Sequence, residues 1–179
     1  MELRSLDTTR LRLDPWSEAY SAMLVRLSSI PAVTRYIGPG ATWPRTTALE
    51  VAAAQLVHWR EHGFGWRAAV EKASDRPIGF IALNFAGEGT AGLDASEYEI
   101  GWWLDPEVWG RGLAREGATT VRDEALGPLG APSVVARIQP GNASSIAVAE
   151  AIGLVLDFHT TGRAGEPVAV YRHVTVAQR

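Results

Sequence analysis

A glycine-rich junction between a strand and a helix is the feature that most restricts how this chain can fold. The segment 97–104 is apolar and aromatic like a strand, Asp105-Pro106 interrupts it, and Gly110 and Gly112 precede an amphipathic run. The first N–H groups of a helix lack acceptors and lie at the positive end of its dipole, so they bind anions. Glycines let a phosphate approach that backbone closely. The junction therefore predicts a phosphate or pyrophosphate site, with a tight strand-to-helix turn as the alternative.

Two common phosphate-binding signatures do not match this junction. The dinucleotide fingerprint G-x-G-x-x-G requires glycine where Arg115 stands, and it follows the first strand of a domain, not the fourth. A Walker A loop requires Gly-Lys-Ser or Gly-Lys-Thr, and the chain contains neither tripeptide. Both alternatives are therefore weakened by particular residues.

The composition limits the function class further. The 179 residues include 17 Lys+Arg and 20 Asp+Glu, for a formal net charge of −3, and no Cys. A mildly acidic chain does not suit binding that depends on neutralising phosphates of nucleic acids, and the lack of Cys excludes disulfides and zinc–thiolate sites. No apolar run reaches the roughly 18 residues of a membrane span. We expect one cytoplasmic domain over residues 1–179, with no nucleic-acid, membrane or metal partner.

Strand and helix patterns alternate along the chain. The order is strand, two helices, three strands, helix, strand, helix and two strands, which indicates a mixed sheet with helices on both faces, hence an α/β or α+β fold. The predicted strands are 9–13, 66–71, 78–85, 97–104, 133–138, 154–159 and 167–174, and the predicted helices are 17–28, about 47–62, 113–126 and 143–152.

Local signals refine some of these elements. Thr46 or Thr47 is of a type that caps helices, and Gly101 inside a strand suggests a bulge or a close backbone approach. The expected apolar face of the second helix is Leu49, Ala53, Leu56 and Trp59, and that of the third is Leu113, Gly117, Ala118, Val121 and Ala125.

A second chemical signal follows the strand 133–138. Asn142, Ser144 and Ser145 open the next helix, which ends at Gly153. Asn and Ser are common capping residues, so a cap is one interpretation. The other is an amide and a hydroxyl placed at the carboxyl ends of strands, where sites of α/β proteins usually lie.

Together, these motifs resemble the GNAT acetyltransferase superfamily, and more narrowly its RimJ/RimL-type branch of ribosomal-protein N-acetyltransferases. The segments that carry the likeness recur in order over nearly the whole chain: 9–13, 63–66, 77–81, 97–104, 109–114, 142–145 and 153–154. The resemblance implies a mostly antiparallel seven-stranded sheet with about four helices on both faces. It also implies an N-acetyltransferase that uses acetyl-CoA, needs no metal, and acts as a monomer or homodimer on a peptide N-terminus or a small-molecule amine.

The resemblance also implies roles for particular residues. The pyrophosphate of acetyl-CoA would bind the N–H groups at the junction, the pantetheine would pair with the fourth predicted strand, and an Asn would be a further cofactor contact. The residues implied for the pyrophosphate are Gly110, Arg111, Gly112, Leu113 and Ala114. Those implied for the pantetheine are Trp102, Trp103 and Leu104, and the further contact is Asn142. Many members have a Tyr that acts as general acid seven residues after this Asn, where this chain has Ala149. Ser145 is therefore the candidate donor to the leaving thiolate.

Amine attack on a thioester also needs a neutral amine, and Glu99 is the candidate base. A carboxylate among Ile100 and Trp102 would be costly to bury unpaired, and desolvation would suit it to base chemistry. The alternatives are an ion pair with an arginine such as Arg137, simple exposure, or a role for Glu97 on the same face. A non-catalytic CoA-binding or ligand-sensing module of the same fold is the alternative function.

Histidine and tryptophan give weaker signals. His58 and His62 lie four residues apart without a third ligand, which favours a surface helix over a metal site. Trp16, Trp43 and Trp59 either line an acceptor pocket or pack in the core, and for any one of them packing is the stronger interpretation.

Overall fold

The computed structural model describes residues 4–173, which form one twisted mixed sheet with helices on both faces. The strands are β1 (Leu6–Asp7), β2 (Leu11–Pro15), β3 (Arg67–Glu71), β4 (Arg76–Phe85), β5 (Tyr98–Leu104), β6 (Val134–Ile138), β7 (Leu154–Thr161) and β8 (Pro167–His173). The helices are α1 (Ser21–Ser28), α2 (Pro31–Thr34), α3 (Arg45–His62), α4 (Leu113–Leu126) and α5 (Ala143–Ala151), with 3-10 turns at Glu18–Tyr20 and Pro106–Val108.

The predicted fold class is confirmed, with two elements more than expected. Over residues 4–173 the sheet has eight strands instead of seven, and there are five α-helices instead of about four. The additions are β1, of 2 residues, and α2, of 4 residues, and both are too short to produce a periodic pattern. The predicted last strand agrees with β8 as far as His173, and residue 174 lies outside the described part of the chain.

Helix α3 differs from its prediction at its start and in its buried face. It begins at Arg45 after Pro44, without a side-chain cap, so the expected cap at Thr46 or Thr47 is wrong. Its buried residues are Ala48, Ala52 and Trp59, whereas the expected Leu49 is 38% exposed. Helix α3 packs against α1, and small alanines allow the two helices to lie close together. The face of α3 that carries these alanines is therefore buried, although larger apolar side chains lie on another face.

The order of the strands in the sheet is β1-β2-β3-β4-β5-β6-β8-β7. Pairing is antiparallel throughout except between β5 and β6, which are connected through the crossover helix α4 and run parallel. The β4–β5 register runs without a shift from Gly79–Leu104 to Phe85–Tyr98, so the bulge expected at Gly101 is absent. A Cβ on Gly101 would make only an ordinary contact of 3.8 Å with Ala82, so no close approach by the chain itself requires glycine there.

Strand β5 separates from β6 soon after the two meet. The paired residues are Tyr98 with Val134 and Glu99 with Val135, and within residues 4–173 the rest of β5 has no partner strand on that side. On its other edge β6 pairs with β8 from Val135 to Ile138, so β8 lies on the side of β6 away from β5. The carboxyl-terminal half of β5 therefore has one backbone edge free to bind another chain or a ligand.

Two apolar cores cover the two faces of the sheet. The larger one packs α4 against the sheet through the predicted stripe of Leu113, Gly117, Ala118, Val121 and Ala125, which is buried as expected. The other packs α1 and α3 and includes Trp16 and Trp59, so these two tryptophans are core residues, while Trp43 packs on Trp103 at 5.0 Å between ring centroids. Across residues 4–173, every helix is too short or too polar to traverse a lipid bilayer.

Candidate active site

The glycine-rich junction is positioned by the buried residue Asp105. Its carboxylate accepts hydrogen bonds from the backbone N–H of Glu107 at 3.1 Å and from Arg26 Nη1 at 2.7 Å. Burial acts to raise the pKa of Asp105, but these two hydrogen bonds, together with the positive charges of Arg26 and Arg76, outweigh it and hold the pKa below its usual value. The ionised Asp105 thus stabilises the 3-10 turn that connects β5 to the glycines.

The two glycines adopt left-handed backbone conformations at the start of α4. Gly110 has φ +73° and Gly112, the N-cap residue, has φ +75°. A Cβ on Gly110 would meet no atom within 4 Å, so the space above this backbone is open. Among the described residues 4–173, no side chain caps the helix at Gly112, which leaves its first N–H groups free to bind an anion.

Two ion pairs, Arg10–Glu116 and Arg111–Glu71, brace the junction from the outside. Glu116 in the first turn of α4 accepts hydrogen bonds from the Arg10 backbone N–H at 2.7 Å and the Arg10 Nε at 2.7 Å, and Arg10 also donates to the Arg111 carbonyl at 2.8 Å. The Arg111 guanidinium pairs with Glu71 at 2.6 Å. The Arg111 guanidinium is therefore held toward Glu71, and its backbone N–H stays with those of the junction.

A cavity of about 580 Å³ lies between the glycine-rich junction, the free half of β5 and the start of α5. We call it the large cavity. Every cofactor-binding residue predicted from the sequence lines it except Arg111, and Ser145 lines it as well: Trp102, Trp103, Leu104, Gly110, Gly112, Leu113, Ala114 and Asn142. Residues far apart in sequence are thus brought to one place.

The large cavity also contains residues that sequence reasoning missed. Its third side comes from α2 and the residues after it, including Val33, Arg35, Tyr36 and Ile37, and Arg115 of α4 contributes a further guanidinium. The one-turn helix α2 gave no periodic signal, so nothing in the sequence pointed to this side. Arg115 breaks the dinucleotide fingerprint, and its position in the first turn of α4 is the sequence signal for a cation beside the junction.

Asn142 and Ser145 have different roles at the start of α5. Asn142 Oδ1 accepts hydrogen bonds from the Ser145 backbone N–H at 3.2 Å and the Ser144 hydroxyl at 3.0 Å, so Asn142 is the cap of this helix. The Ser145 hydroxyl oxygen instead accepts a hydrogen bond from the Trp102 indole N–H at 3.3 Å, across the large cavity from β5. Ser145 is therefore not needed as a cap and is held facing β5.

A smaller cavity of about 270 Å³ contains the predicted base. Glu99 lines it, but this carboxylate is not unpaired: Arg137 Nε donates to one of its oxygens at 2.8 Å and Arg137 Nη2 to the other at 2.6 Å. The ion pair, given above as an alternative, is what the structure contains, so the argument from an unpaired carboxylate is wrong. Glu97 pairs with Arg172 and does not line either cavity.

The two cavities share Tyr36 and Ile37 in their walls. These two residues follow α2, and the loop that carries them is fixed at Gly38, whose carbonyl accepts a hydrogen bond from Gln139 at 2.8 Å. A ligand in the large cavity and a second molecule in the small cavity would therefore meet beside Tyr36 and Ile37. This arrangement suits a transfer reaction between two bound substrates.

The histidine pair lies away from both cavities. The His58 and His62 rings lie 4.6 Å apart between centroids, tilted by 58°, and both pack against Phe64. Burial, followed by the neighbouring His62, lowers the pKa of His58. Within residues 4–173, His, Asp and Glu nowhere form a group of three that could hold a metal ion.

The chain is similar in sequence and in fold to known acetyltransferases. The family model for the acetyltransferase (GNAT) domain matches residues 10–155. An acetyltransferase from Agrobacterium tumefaciens str. C58 superposes with a TM-score of 0.82 at 30% sequence identity, over 98% of this chain and 96% of that one.

Two further solved structures share the fold at lower identity. RimL, a ribosomal alpha-N-protein acetyltransferase in complex with coenzyme A, superposes with a TM-score of 0.75 at 16% identity, over 98% of this chain and 100% of that one. AAC(6′)-Ib in complex with ribostamycin and coenzyme A gives a TM-score of 0.74 at 18% identity, over 96% of each chain.

Proposed function

Because the chain belongs to the GNAT acetyltransferase family and is an N-acetyltransferase, we propose that it transfers an acetyl group from acetyl-CoA to a primary amine. The amine belongs to a protein N-terminus or to a small molecule. The observation that carries the proposal is the large cavity, where a free helix N-terminus and a free strand edge face the same space.

The large cavity offers a separate feature for each part of acetyl-CoA. The pyrophosphate binds the N–H groups from Gly110 to Ala114, where the dipole of α4 favours negative charge. The pantetheine, which contains amides, runs along the unpaired edge of Trp102–Leu104 as an added strand would. Arg115 supplies a cation for the remaining phosphate. The RimL and AAC(6′)-Ib structures, which contain coenzyme A, support this choice of donor.

The reaction we propose is direct transfer with both substrates bound. The lone pair of the neutral amine attacks the thioester carbonyl carbon and forms the C–N bond. The tetrahedral intermediate then breaks its C–S bond, the CoA thiolate takes up a proton, and the amine nitrogen loses one. The developing oxyanion needs N–H donors, which the free edge of β5 at Gly101–Trp103 provides.

Ser145 is the proposed donor to the leaving thiolate. Its oxygen accepts the Trp102 N–H, so its own hydrogen remains available for a hydrogen bond to sulfur. The acceptor amine occupies the small cavity, and Glu99 is the proposed base for its proton, with Arg137 orienting the carboxylate. Each Glu99 oxygen accepts one hydrogen bond from Arg137 and keeps a further lone pair.

More specifically, we propose that the chain belongs to the RimJ/RimL-type branch of the family. We also propose that it acts as a monomer or homodimer. The sequence motifs and the superposition on RimL over 98% of the chain support it. The AAC(6′)-Ib structure superposes about as well, so the choice of acceptor needs its own argument.

Release of the CoA thiol tests the proposed function. Purified protein is incubated with acetyl-CoA and with peptides or small amines, while a thiol reagent reports free CoA and mass spectrometry identifies the product. We expect release that depends on the amine, and an N-acetylated product. Binding of acetyl-CoA by calorimetry without release for any amine contradicts catalysis and would identify a non-catalytic CoA-binding module.

A further inference from the structure

The small cavity has a balanced set of charges. Four charged residues line it, two acidic and two basic: Glu99, Glu166, Arg137 and Arg163. Two of them neutralise each other, because Arg137 and Glu99 form a two-fold hydrogen-bonded ion pair with side chains only 12% and 18% exposed. Arg137 also donates to the Thr90 hydroxyl at 2.6 Å, which fixes the pair further. The remaining charges are those of Arg163 and Glu166.

Arg163 is a cation whose charge is not matched by a bonded carboxylate. Within residues 4–173 it donates to the backbone carbonyls of Ala86 and Glu88 and forms no salt bridge. Burial, followed by the like charge of Arg137, lowers its pKa, but a guanidinium stays protonated at physiological pH. Carbonyls leave its formal charge in place, so Arg163 can still attract an anion.

Glu166 is the matching anion on the same β7–β8 turn. One carboxylate oxygen accepts the Ala164 backbone N–H at 2.9 Å, and within residues 4–173 no cation forms a salt bridge with Glu166. The carboxylate lies over Gly162, where a Cβ would collide with Oε1 of Glu166. Glycine at 162 therefore makes room for this carboxylate. A short turn thus offers one positive and one negative group to the same cavity.

Size restricts the occupant as well. The small cavity has about 270 Å³, slightly below the roughly 300–1,000 Å³ typical of sites for drug-sized ligands. Because Arg137 is neutralised by Glu99, an ammonium group beside Glu166 leaves Arg163 as the charge that a second ammonium group would meet, and like charges at close range oppose binding. The cavity therefore disfavours large polycations such as aminoglycosides, and small ones such as polyamines.

On the basis of the proposed function, we propose that the acetyl acceptor is a small zwitterion of the amino-acid type, whose ammonium group is attracted by Glu166 and whose carboxylate binds Arg163. The ammonium loses its proton before attack, as in the reaction above. Arg163 and Glu166 are specificity-determining residues, since they select the acceptor and leave the bond-forming step unchanged.

Matched pairs of acceptors test this proposal. Each of the twenty common amino acids is offered beside its C-terminal amide, which keeps the amine and lacks the carboxylate, together with spermidine, an aminoglycoside and short peptides. Thiol release gives kcat/KM for each acceptor. We expect at least one free amino acid to exceed its own amide at least tenfold, and to exceed every polycation.

Variants then assign the preference to the turn. Arg163→Gln should reduce the ratio of kcat/KM between acid and amide at least tenfold, mainly through KM, whereas Arg163→Lys keeps the charge and should retain part of the ratio. Affinity for acetyl-CoA and the melting temperature report whether Arg163→Gln is correctly folded. If Arg163→Gln alters the loop at 86–88, Glu166→Gln offers an independent test, with a higher KM for every ammonium-bearing acceptor.

The possible outcomes separate this proposal from the one on which it rests. Release with peptides, amides or polyamines but not with free amino acids overturns the zwitterion proposal and leaves the acetyltransferase standing. An unchanged acid-to-amide ratio in Arg163→Gln also overturns it. Absence of release with every amine, despite acetyl-CoA binding, contradicts the proposed function and the zwitterion proposal together.

Discussion

A negative charge at Gly112 should separate coenzyme binding from folding. Gly112 is the N-cap of α4, has φ +75°, and a Cβ there would make only loose contacts, at 3.7 Å with Arg10 and 4.0 Å with Arg115. Asp and Asn tolerate the left-handed region better than most residues. Both Gly112→Asp and Gly112→Asn should therefore fold, at a cost of about 1 kcal/mol for the backbone.

The negative charge of Gly112→Asp should favour the folded protein and weaken the binding of CoA. A carboxylate at the amino end of α4 interacts favourably with the helix dipole by about 0.3–1 kcal/mol, so Gly112→Asp should be at least as stable as Gly112→Asn. Toward a phosphate about 5 Å away, the same carboxylate is repelled by about 3 kcal/mol at an effective dielectric of 20 and by about 1 kcal/mol in bulk water. Since each 1.4 kcal/mol is tenfold in affinity, CoA should bind Gly112→Asp about 10- to 100-fold more weakly than Gly112→Asn.

Calorimetric titration of the wild type and both variants with CoA measures this difference. Thermal unfolding of the same preparations should show melting temperatures within about 4 °C of the wild type. Because the effect is Coulombic, the gap between Asp and Asn should shrink in 1 M salt, where the Debye length is about 3 Å. Equal CoA affinities for Gly112→Asp and Gly112→Asn would show that no phosphate of CoA lies at the start of α4.

Further predictions concern binding and catalysis. Acetyl-CoA at 100 times its dissociation constant should stabilise the protein by about 2.7 kcal/mol and raise its melting temperature, and an equal rise with NAD at the same concentration would contradict the proposed donor. Ser145→Ala should lower turnover about 10- to 100-fold with little loss of stability, because Asn142 is the cap; lower melting with native turnover would make Ser145 purely structural. Glu99→Gln should destabilise the protein by about 3 kcal/mol, since it leaves the nearly buried Arg137 without its partner. If Glu99 is the base, the rate at saturating substrates should also fall about 10²–10⁴-fold and the pH–rate profile should lose its acidic limb; a folded variant with the native pH–rate profile would exclude that role.

Elements with strong local periodicity could be predicted from the sequence, and those shaped by neighbouring helices could not. Helix α4 has the predicted bounds and buried stripe, because five apolar or small residues recur at helical spacing between a glycine start and a glycine end. Helix α3 is rich in alanine, so its buried face depends on which side α1 approaches. The sequence of α3 alone does not contain that information, and Leu49 was wrongly expected inside.

Some residues of the candidate site could likewise be predicted from the sequence, and others could not. Residues of the glycine-rich junction and the start of α5 could be assigned because each group is contiguous and follows a strand. Tyr36 and Arg163 could not, since each comes from a loop whose place against the small cavity depends on contacts between distant segments. Gly38 lies close to Ala164, since a Cβ on Gly38 would be 3.9 Å from the Ala164 Cβ. These two residues are more than a hundred positions apart in the sequence.

A single feature of the sheet explains why the site has two compartments. The parallel ladder between β5 and β6 ends at Glu99–Val135, and two residues further along β6 stands Arg137. The ion pair between Glu99 and Arg137 therefore spans the point where the strands separate, and it holds them together at their last paired position. Beyond it, β5 turns its free edge toward the large cavity, while the pair itself lines the small one. Glu99 therefore has a structural role whether or not it is the base, because a substitution that removes its charge also weakens the contact between β5 and β6 beside the two cavities.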